Sequence, residues 1–518
     1  MNNDQLPFRL SRAVILGVVI VVAMFVWEGH QGFSLWDEGY LWYGVQRVMA
    51  GEVPIRDFQA YDPGRYYFSA SLMTLTGSQG IMAVRTTVVV LQALALAAAL
   101  GFLAAIDRKR ADLPSILMFG LALVVWMVPR HKVFDISISI ALICAFAFFL
   151  QRITHFRAFI AGLVLGVVAF FGRNHGVYGL LAGAGVFLYL AVRCESWRIW
   201  WMNALSFAAG IVVGYLPLIG MLLTVKGFAP AFIESIKFLF DIKATNLPLP
   251  VPWPWKVQAS QLPLAEAARQ ILSGLFFLST LVFGCASMLY VLIRKARGMP
   301  TAPPLFVACA FSAIPYAHYA FSRADPGHLA QGIFPTLIGM LAWAASRDAL
   351  TRYSAAALLC AAGWIAMIGQ HPGWQCGSSG VCQRVTIGDD HLLADPGTAS
   401  DVALLRALDE RFAGQGRSFF AAPFWPGAYA LLGEKAPNWE IYTAWNRSDA
   451  FQREEIARLE TARPGFAVIF DFPLDGRDEL RYRNSHPLID QYIRSNFIPV
   501  DGMTANPAYQ IFRAKDAK

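Results

Sequence analysis

Residues 13–40 read AVILGVVIVVAMFVWEGHQGFSLWDEGY, an apolar run followed by glycines, aromatic residues and two adjacent carboxylates. The run at 13–27 is near the length that crosses the ~30 Å hydrocarbon core of a bilayer as a helix. It lacks a small-residue cleavage site, so we interpret it as a retained membrane span and not as a signal peptide. Asp37 and Glu38 then lie in the first loop beyond the membrane.

The rest of the chain repeats this apolar pattern. Of 518 residues, 56% are hydrophobic and only 15% are charged, against about 25% charged in a soluble domain. We therefore predict a polytopic α-helical membrane protein with about eleven spans, of which the fourth and fifth are short. The predicted spans cover residues 13–27, 80–106, 114–129, 135–150, 158–172, 177–192, 200–223, 271–293, 303–321, 329–345 and 353–369.

Basic residues cluster in alternate loops, and this pattern predicts the orientation. The clusters are Arg9 and Arg12; Arg108, Lys109 and Arg110; Arg152 and Arg157; Arg193 and Arg198; Arg294, Lys295 and Arg297; and Arg347 and Arg352. By the positive-inside rule these loops face the cytoplasm, and the remaining loops face out. The net charge of +8 follows largely from the same loops. Because the basic residues do not gather on a soluble domain, a nucleic-acid partner is not indicated.

Two domains of different composition are predicted. Residues 1–370 form the membrane domain, and its long outer loop at 28–79 carries two short helices along the membrane surface, near 40–49 and 66–73. Residues 371–518 form a small α/β domain outside the cytoplasm, since strand and helix patterns alternate there.

The C-terminal domain has a more detailed prediction of its own. Strands are expected at 466–470 and 509–512, with helices near 449–462 and 487–496. Cys376 and Cys382 follow the last span on the outer side, where an oxidising compartment favours a disulfide. We see no glycine-rich phosphate loop in this domain, so no catalytic residue is assigned to it.

The acidic residues of the first outer loop are candidates for general-base chemistry. Group transfer with inversion needs a base for the acceptor proton, and cations or a metal for the departing phosphate. Asp37 fits the base, and Glu38 fits a supporting role. A divalent metal held by Asp37 and Glu38 is an alternative that the pair leaves open. Asp62, in the run Tyr61-Asp62-Pro63-Gly64-Arg65, is a second candidate catalytic residue.

The predicted outer loops also hold basic residues, most of them close to span ends. The candidates for binding a phosphate are Arg65, Lys132, Arg173, His175, Arg323 and His328, with His131, Asn174 and Asp325 in supporting roles. Arginine and lysine bind phosphate strongly, arginine with bidentate geometry. Within the run at 322–328, Asp325 is placed to orient Arg323 or His328. Glycines flank the run at 173–175 and would let the backbone approach a ligand closely.

These features together resemble the GT-C glycosyltransferases, and most closely the branch with protein O-mannosyltransferases and lipid A aminoarabinose transferases. The run FSLWDEG at 33–39 looks like the acidic motif of that family, and RADPGH at 323–328 resembles a late-loop motif of many bacterial relatives. YDPGR at 61–65 departs from the family pattern, in which a basic residue often precedes two prolines. That departure leaves the role of Asp62 and the identity of the acceptor open.

The resemblance implies transfer of a sugar from a polyprenyl-phosphate carrier to a glycan, lipid or protein of the cell envelope. The reaction would take place on the periplasmic side of a bacterial inner membrane, with Asp37 at or near catalysis. The alternative function is a transporter or flippase for a lipid-linked envelope intermediate. Transporters usually place ionisable or broken-helix sites near mid-membrane, whereas the charges here cluster at the outer face. A non-catalytic envelope scaffold is a third and weaker interpretation.

Overall fold

The computed structural model describes residues 6–107, 111–413 and 416–516. Arg108, Lys109 and Arg110, which we expect to face the cytoplasm, lie outside the described residues. By its packing the chain forms two compact units. The first consists of Met1–Gly29 and Thr86–Gln375, and the second of His30–Arg85 and Cys376–Lys518.

Helices dominate the chain as far as residue 379. They are α1 (Leu6–Glu28), α2 (Asp37–Met49), α3 (Gly64–Thr76), α4 (Ile81–Ile106), α5 (Leu113–Val124), α6 (Val133–Gln151), α7 (His155–Phe171), α8 (Arg173–Ala191), α9 (Trp197–Thr224), α10 (Phe228–Asp241), α11 (Leu264–Ala296), α12 (Pro304–Ser322), α13 (Pro326–Gly332), α14 (Phe334–Ala345), α15 (Ala349–Met367) and α16 (Pro372–Ser379). An apolar helix satisfies its backbone hydrogen bonds internally, which is what a hydrocarbon environment demands.

Among the described residues, seven helices are long and apolar enough to cross a membrane, which makes the chain a multi-pass membrane protein. The seven are α1, α4, α6, α9, α11, α12 and α15. Helices α13 and α14 meet at 55° and give an eighth span if the pair is counted as one. The expected eleven spans are not confirmed, because α5 and α7 are shorter than a bilayer crossing requires. Helix α8 begins with three polar residues and is not among the seven.

Small residues let α7 and α9 of the first unit pack closely against each other. A Cβ added to Gly162 of α7 would lie 1.9 Å from the Phe207 carbonyl oxygen, and one added to Gly214 of α9 would lie 2.1 Å from the Leu163 carbonyl oxygen. Glycines let two helix backbones approach closely where lipid supplies no hydrophobic driving force. Helix α6 is the most enclosed of the seven candidate spans, since 15 of its 19 residues are buried.

The second unit contains α2, α3 and a mixed sheet. After residue 382 its elements are β1 (Gln383–Ile387), β2 (Asp390–Ala394), α17 (Pro396–Phe412), β3 (Phe420–Ala422), α18 (Pro426–Leu432), α19 (Asp449–Ala462), β4 (Phe466–Phe470), α20 (Tyr482–Ser485), α21 (Pro487–Asn496), β5 (Phe497–Pro499) and β6 (Tyr509–Ala514). Strands β1 and β2 form an antiparallel pair. The other four are ordered β3-β4-β6-β5, with β3 parallel to β4 and the remaining pairs antiparallel.

Several local predictions for this segment agree with the structure. The strands at β4 and β6 and the helices at α19 and α21 form where the sequence predicts them. Apolar residues of β4, α19 and α21, among them Ile469, Leu459 and Ile493, share one buried cluster. The disulfide between Cys376 and Cys382 is present.

The structure groups His30–Arg85, which hold most of the predicted outer loop, with Cys376–Lys518, whereas the sequence predicts a division at residue 371. Gln31 forms a β-bridge with Leu393, and the Tyr43 hydroxyl accepts a hydrogen bond from the Ala436 amide at 3.0 Å. The two predicted surface helices are present as α2 and α3, but residues 38–45 of α2 are buried and α2 packs on α3 and α18. Helix α2 is therefore a packed helix over most of its length, and its placement along a membrane surface stays a prediction.

Candidate active site

Asp37 is the first residue of α2 and is half-buried. Its backbone amide donates to the Ser34 hydroxyl at 3.1 Å, which closes the turn before the helix. The Gly39 amide donates to the Ser34 carbonyl at 2.9 Å, so Ser34 closes the turn through both its side chain and its backbone. The position is tightly packed, because a Cβ added to Gly39 would lie 2.4 Å from the Cα of Gly427 on α18.

Tyr442 holds the Asp37 side chain. Its hydroxyl donates to Asp37 Oδ1 at 3.1 Å, although the two residues are 405 positions apart in sequence. Gln59 fixes the tyrosine backbone, because its Oε1 accepts from the Tyr442 amide at 2.8 Å and its Nε2 donates to the Tyr442 carbonyl at 3.1 Å. Sequence reasoning missed Tyr442 and Gln59, and no motif in the C-terminal segment marks them.

Glu38 lies beside Asp37 but pairs with Arg85. The Arg85 Nε and Nη2 atoms donate to the two Glu38 oxygens, both at 2.7 Å, and both side chains are buried. Arg85 Nη2 also donates to the Gly32 carbonyl at 2.6 Å. Arg85 was missed by sequence reasoning, although a lone arginine within a predicted span was a usable signal.

The Arg85 pairing bears on the metal alternative at Asp37 and Glu38. A carboxylate that binds a guanidinium through both oxygens is poorly placed to hold a cation as well. In the part of the chain that the structure describes, no group of three or more histidine, cysteine, aspartate or glutamate residues could hold a metal ion. The residues present therefore do not fit a metal site at this pair, and we derive no step through a metal.

Asp62 and Arg65 occupy the same unit and are both buried. The Arg65 guanidinium lies 4.6 Å from the centre of the Tyr61 ring. Tyr61 packs edge-on against Tyr40 with ring centroids 4.9 Å apart. Burial is the main reason why the pKa of Tyr40 is raised well above its ordinary value, so this hydroxyl stays protonated.

Tyr40 also completes a chain of rings that reaches the candidate base. Its ring lies 5.7 Å from that of Tyr442, which contacts Asp37. Tyr442, Tyr40 and Tyr61 therefore link two of the predicted residues, Asp37 and Arg65. The second unit also contains the predicted residues Glu38 and Asp62.

The first unit contains the other candidates, of which Arg323, Asp325 and His328 lie together. Arg323 Nε donates to Asp325 Oδ2 at 2.9 Å, and the His328 ring Nδ1 lies 3.0 Å from both Asp325 oxygens. Asp325 also caps α13, since its Oδ1 accepts from the His328 amide at 2.9 Å. Burial alone would raise the pKa of Asp325, but the hydrogen bonds from His328 and the charge of Arg323 outweigh it and hold that pKa below its usual range.

The segment after α10 contacts both Arg323 and His328. Asn246 Nδ2 lies 2.7 Å from His328 Nε2, and the Leu247 carbonyl accepts from Arg323 Nη1 at 3.2 Å. Arg173 contacts α10 itself, because its Nη1 donates to the Ser235 hydroxyl at 2.8 Å and its guanidinium lies 4.6 Å from the centre of the Phe232 ring.

His175 is enclosed and is not presented to a ligand. Its side chain is fully buried, with Nε2 lying 3.1 Å from Asp135 Oδ1 and Nδ1 lying 3.0 Å from the Tyr316 hydroxyl. The predicted contact of His175 with a donor phosphate does not fit this arrangement, because both ring nitrogens already bond to residues of the first unit. Its neighbour Asn174 remains partly exposed near the start of α8.

His131 and Lys132 belong to a single turn of 3₁₀ helix, Arg130–Lys132, just before α6. Both side chains are partly exposed. Arg130 of the same turn donates from Nη2 to the Glu28 carbonyl at the end of α1, at 2.9 Å. Lys132 therefore lies in a turn that Arg130 bonds to the C-terminal end of α1.

Comparison with known proteins identifies the fold. No protein-family model matches the chain, and neither does any curated protein sequence. The structure is similar to ArnT from Cupriavidus metallidurans bound to undecaprenyl phosphate, with a TM-score of 0.54 and 13% identity over 97% of this chain and 98% of that one. It is also similar to the archaeal oligosaccharyltransferase AglB from Archaeoglobus fulgidus, in complex with an inhibitory peptide and a dolichol-phosphate. That likeness has a TM-score of 0.50 and 12% identity over 98% of this chain and 74% of that one.

Similarity over nearly the whole chain at such low identity shows a shared architecture. It agrees with the resemblance that the acidic motif at 33–39 and the motif at 323–328 indicate. The chain therefore has the GT-C fold of membrane glycosyltransferases, which it shares with ArnT and AglB.

Proposed function

We propose that the protein is an inverting glycosyltransferase that moves a sugar from a polyprenyl-phosphate carrier to an acceptor of the cell envelope. The observation that carries the proposal is Asp37, held at the N-terminus of α2 by the Tyr442 hydroxyl in a chain with the GT-C fold. The solved structures of ArnT, with undecaprenyl phosphate, and of AglB, with a dolichol-phosphate, support a lipid-phosphate donor.

Asp37 is the general base of this reaction. Its carboxylate takes the proton of the acceptor hydroxyl while that oxygen attacks the anomeric carbon of the donor sugar. The bond from the anomeric carbon to the phosphate oxygen breaks on the opposite face, so the configuration inverts and polyprenyl phosphate leaves. A positioned base contributes typically 10²–10⁴-fold to such a step. Tyr442 orients the carboxylate, and the Glu38–Arg85 pair holds the start of α2.

The departing phosphate carries negative charge, and fixed cations lower the barrier to its departure. We assign this role to Arg323, which Asp325 orients, together with Arg173 and Lys132. His328, whose two ring nitrogens lie against Asp325 and Asn246, supports Asp325. Arg323 is the principal phosphate ligand, because a guanidinium can form two parallel hydrogen bonds to phosphate oxygens.

The reaction is assigned to the periplasmic side of a bacterial inner membrane. The basic clusters in alternate loops support this orientation through the positive-inside rule. The Cys376–Cys382 disulfide supports it as well, because disulfides persist in oxidising compartments.

A transporter or flippase is the second candidate, and two observations favour it. Asp135 and His175 form a buried pair within the first unit, and α13 meets α14 at 55°. Buried ionisable groups and broken helices are features of transporter sites. The glycosyltransferase remains our first proposal because Asp37 and its partner Tyr442 belong to the second unit. Neither the Asp135–His175 pair nor the α13–α14 bend is part of that unit.

The test follows the fate of the lipid donor. Purified protein in detergent is incubated with undecaprenyl-phosphate-linked glucose, mannose and arabinose in turn, with envelope extract as acceptor. Release of undecaprenyl phosphate, measured by mass spectrometry, is expected with at least one donor and is expected to need Asp37. The proposal is overturned if reconstituted protein moves an intact lipid-linked sugar across vesicles while no donor is cleaved.

A further inference from the structure

Four aromatic rings meet beside Asp37 in the second unit, and we call Trp36, Phe424, Phe470 and Phe472 the aromatic panel. The Trp36 ring centroid lies 5.5 Å from that of Phe472, 5.7 Å from that of Phe424 and 6.2 Å from that of Phe470. The rings of Phe470 and Phe472 are 4.5 Å apart. Phe424 is buried, whereas the other three rings are only partly buried.

The aromatic panel lies where two parallel strands end. Phe424 follows β3, Phe470 is the last residue of β4, and β3 pairs with β4 in parallel. The carboxyl ends of parallel strands meet at one edge of a sheet, and ligands commonly bind outside that edge. The Gly427 amide donates to the Leu35 carbonyl at 2.8 Å, which brings Trp36 to the same edge.

This edge is continuous with the proposed base. The Phe424 ring lies 4.9 Å from that of Tyr442, whose hydroxyl contacts Asp37. Asp37 also follows Trp36 directly in the chain. The panel therefore includes the residue before Asp37 and contacts the ring of Tyr442, which holds the Asp37 carboxylate. Under the proposed function, that carboxylate takes a proton from the acceptor.

The chemistry of the edge suits a sugar ring. Small-molecule sites combine aromatic and apolar walls with a few placed polar groups. A pyranose has C–H faces that pack on an aromatic ring and hydroxyls at its rim that a carboxylate can accept. A peptide that binds by adding a β-strand would instead need a row of backbone donors and acceptors, and the panel presents side-chain rings.

We infer that the aromatic panel binds a sugar ring of the acceptor, so that the acceptor is a glycan or glycolipid. This inference rests on the proposed function, in which Asp37 activates an acceptor hydroxyl. It also assigns the C-terminal segment a part in acceptor recognition, since Phe424, Phe470 and Phe472 come from that segment.

The test measures sugar binding without turnover. Saturation-transfer difference NMR is recorded on the full-length protein in detergent with methyl glucoside, methyl galactoside and methyl N-acetylglucosaminide as probes. Transfer to ring C–H protons is expected with at least one probe. It should fall at least about 5-fold in Trp36→Ala and Phe472→Ala, as removal of an aromatic contact predicts.

Two further variants separate binding from folding. Trp36→Phe keeps a ring at the site and should retain most of the transfer. Tyr492→Ala removes a partly buried ring from α21 and should leave the transfer unchanged. If no glycoside shows transfer, or if both panel variants match the parent, the inference is overturned.

Two added measurements distinguish this inference from the proposed function. Undecaprenyl phosphate is titrated into the same proteins, and Trp36→Ala is expected to bind it as the parent does. If the parent does not bind undecaprenyl phosphate, the donor assignment fails while the glycoside result still decides the panel. If a Gly-Thr-Gly peptide shows transfer that the panel variants lose, and the glycosides do not, the occupant is a polypeptide and our inference is wrong.

Discussion

The Tyr442 hydroxyl donates to Asp37 Oδ1 at 3.1 Å, which joins the start of α2 to the C-terminal segment. The contact gives that segment a direct link to the candidate base. Gln59 holds the Tyr442 backbone through two hydrogen bonds, which fixes the position from which the hydroxyl reaches Asp37.

Asp37→Asn keeps the shape of the side chain but removes the proton acceptor. We expect transfer to fall at least ~100-fold, on the scale of losing a general base, while undecaprenyl phosphate binding stays the same. Single-turnover assays on the purified variant measure the loss. Glu454→Gln, at an exposed position on α19, is the matched control and should stay active. Near-normal turnover of Asp37→Asn would move the base to Asp62.

Tyr442→Phe removes only the hydroxyl that holds Asp37. A hydrogen bond to a charged group is worth ~1.5–3 kcal/mol, so we expect kcat to fall roughly tenfold or more. The melting temperature should change little, because the ring and its packing remain. Tyr492→Phe on α21 is the control. Equal kcat in Tyr442→Phe and the parent would show that the hydroxyl does not position the base.

Arg85→Leu leaves the Glu38 carboxylate buried without its main partner. Breaking a buried ion pair typically costs ~3–5 kcal/mol, so thermal unfolding in detergent should occur at a clearly lower temperature. The double variant Glu38→Leu/Arg85→Leu should recover part of that loss, since no unpaired charge remains buried. A double variant less stable than Arg85→Leu alone would contradict this account of the pair.

Arg323→Ala should weaken binding of undecaprenyl phosphate by ~1.5–3 kcal/mol. Arg323→Lys should restore only part of the affinity, because an ammonium group cannot form the bidentate contact. Arg453→Ala, on the exposed face of α19, serves as the control in the same titration. If Arg323→Ala binds the lipid as tightly as the parent, Arg323 is a structural partner of Asp325 and not a donor ligand.

The orientation is tested with two engineered cysteines at exposed positions, Ala450→Cys in the C-terminal segment and Met299→Cys after α11. A membrane-impermeant maleimide added to intact cells, once the outer membrane is permeabilised, should label position 450 and not position 299. Labelling of both after lysis shows that each thiol is reactive. The reverse pattern in intact cells would overturn the periplasmic assignment.

Properties that depend on neighbouring residues could be predicted from the sequence. Helix α9 (Trp197–Thr224) forms over the predicted span at 200–223, because an apolar stretch of that length is a local feature. Helix α19 and strand β4 also form where their periodicities indicate. Asp325 bonds to Arg323 and His328 because the three lie within one short turn.

Only the tertiary structure decided which distant groups meet. The Tyr442 hydroxyl donates to Asp37, and Arg85 donates to both oxygens of Glu38. His175 pairs with Asp135. None of these pairs shares a local pattern, because each depends on how packed elements bring separate parts of the chain together. The sequence by itself thus determined that long apolar helices form and where the disulfide lies, but not the number of spans. Packing decided that Glu38 and His175 bond inside the protein and that the C-terminal segment supplies Tyr442, the partner of the candidate base Asp37.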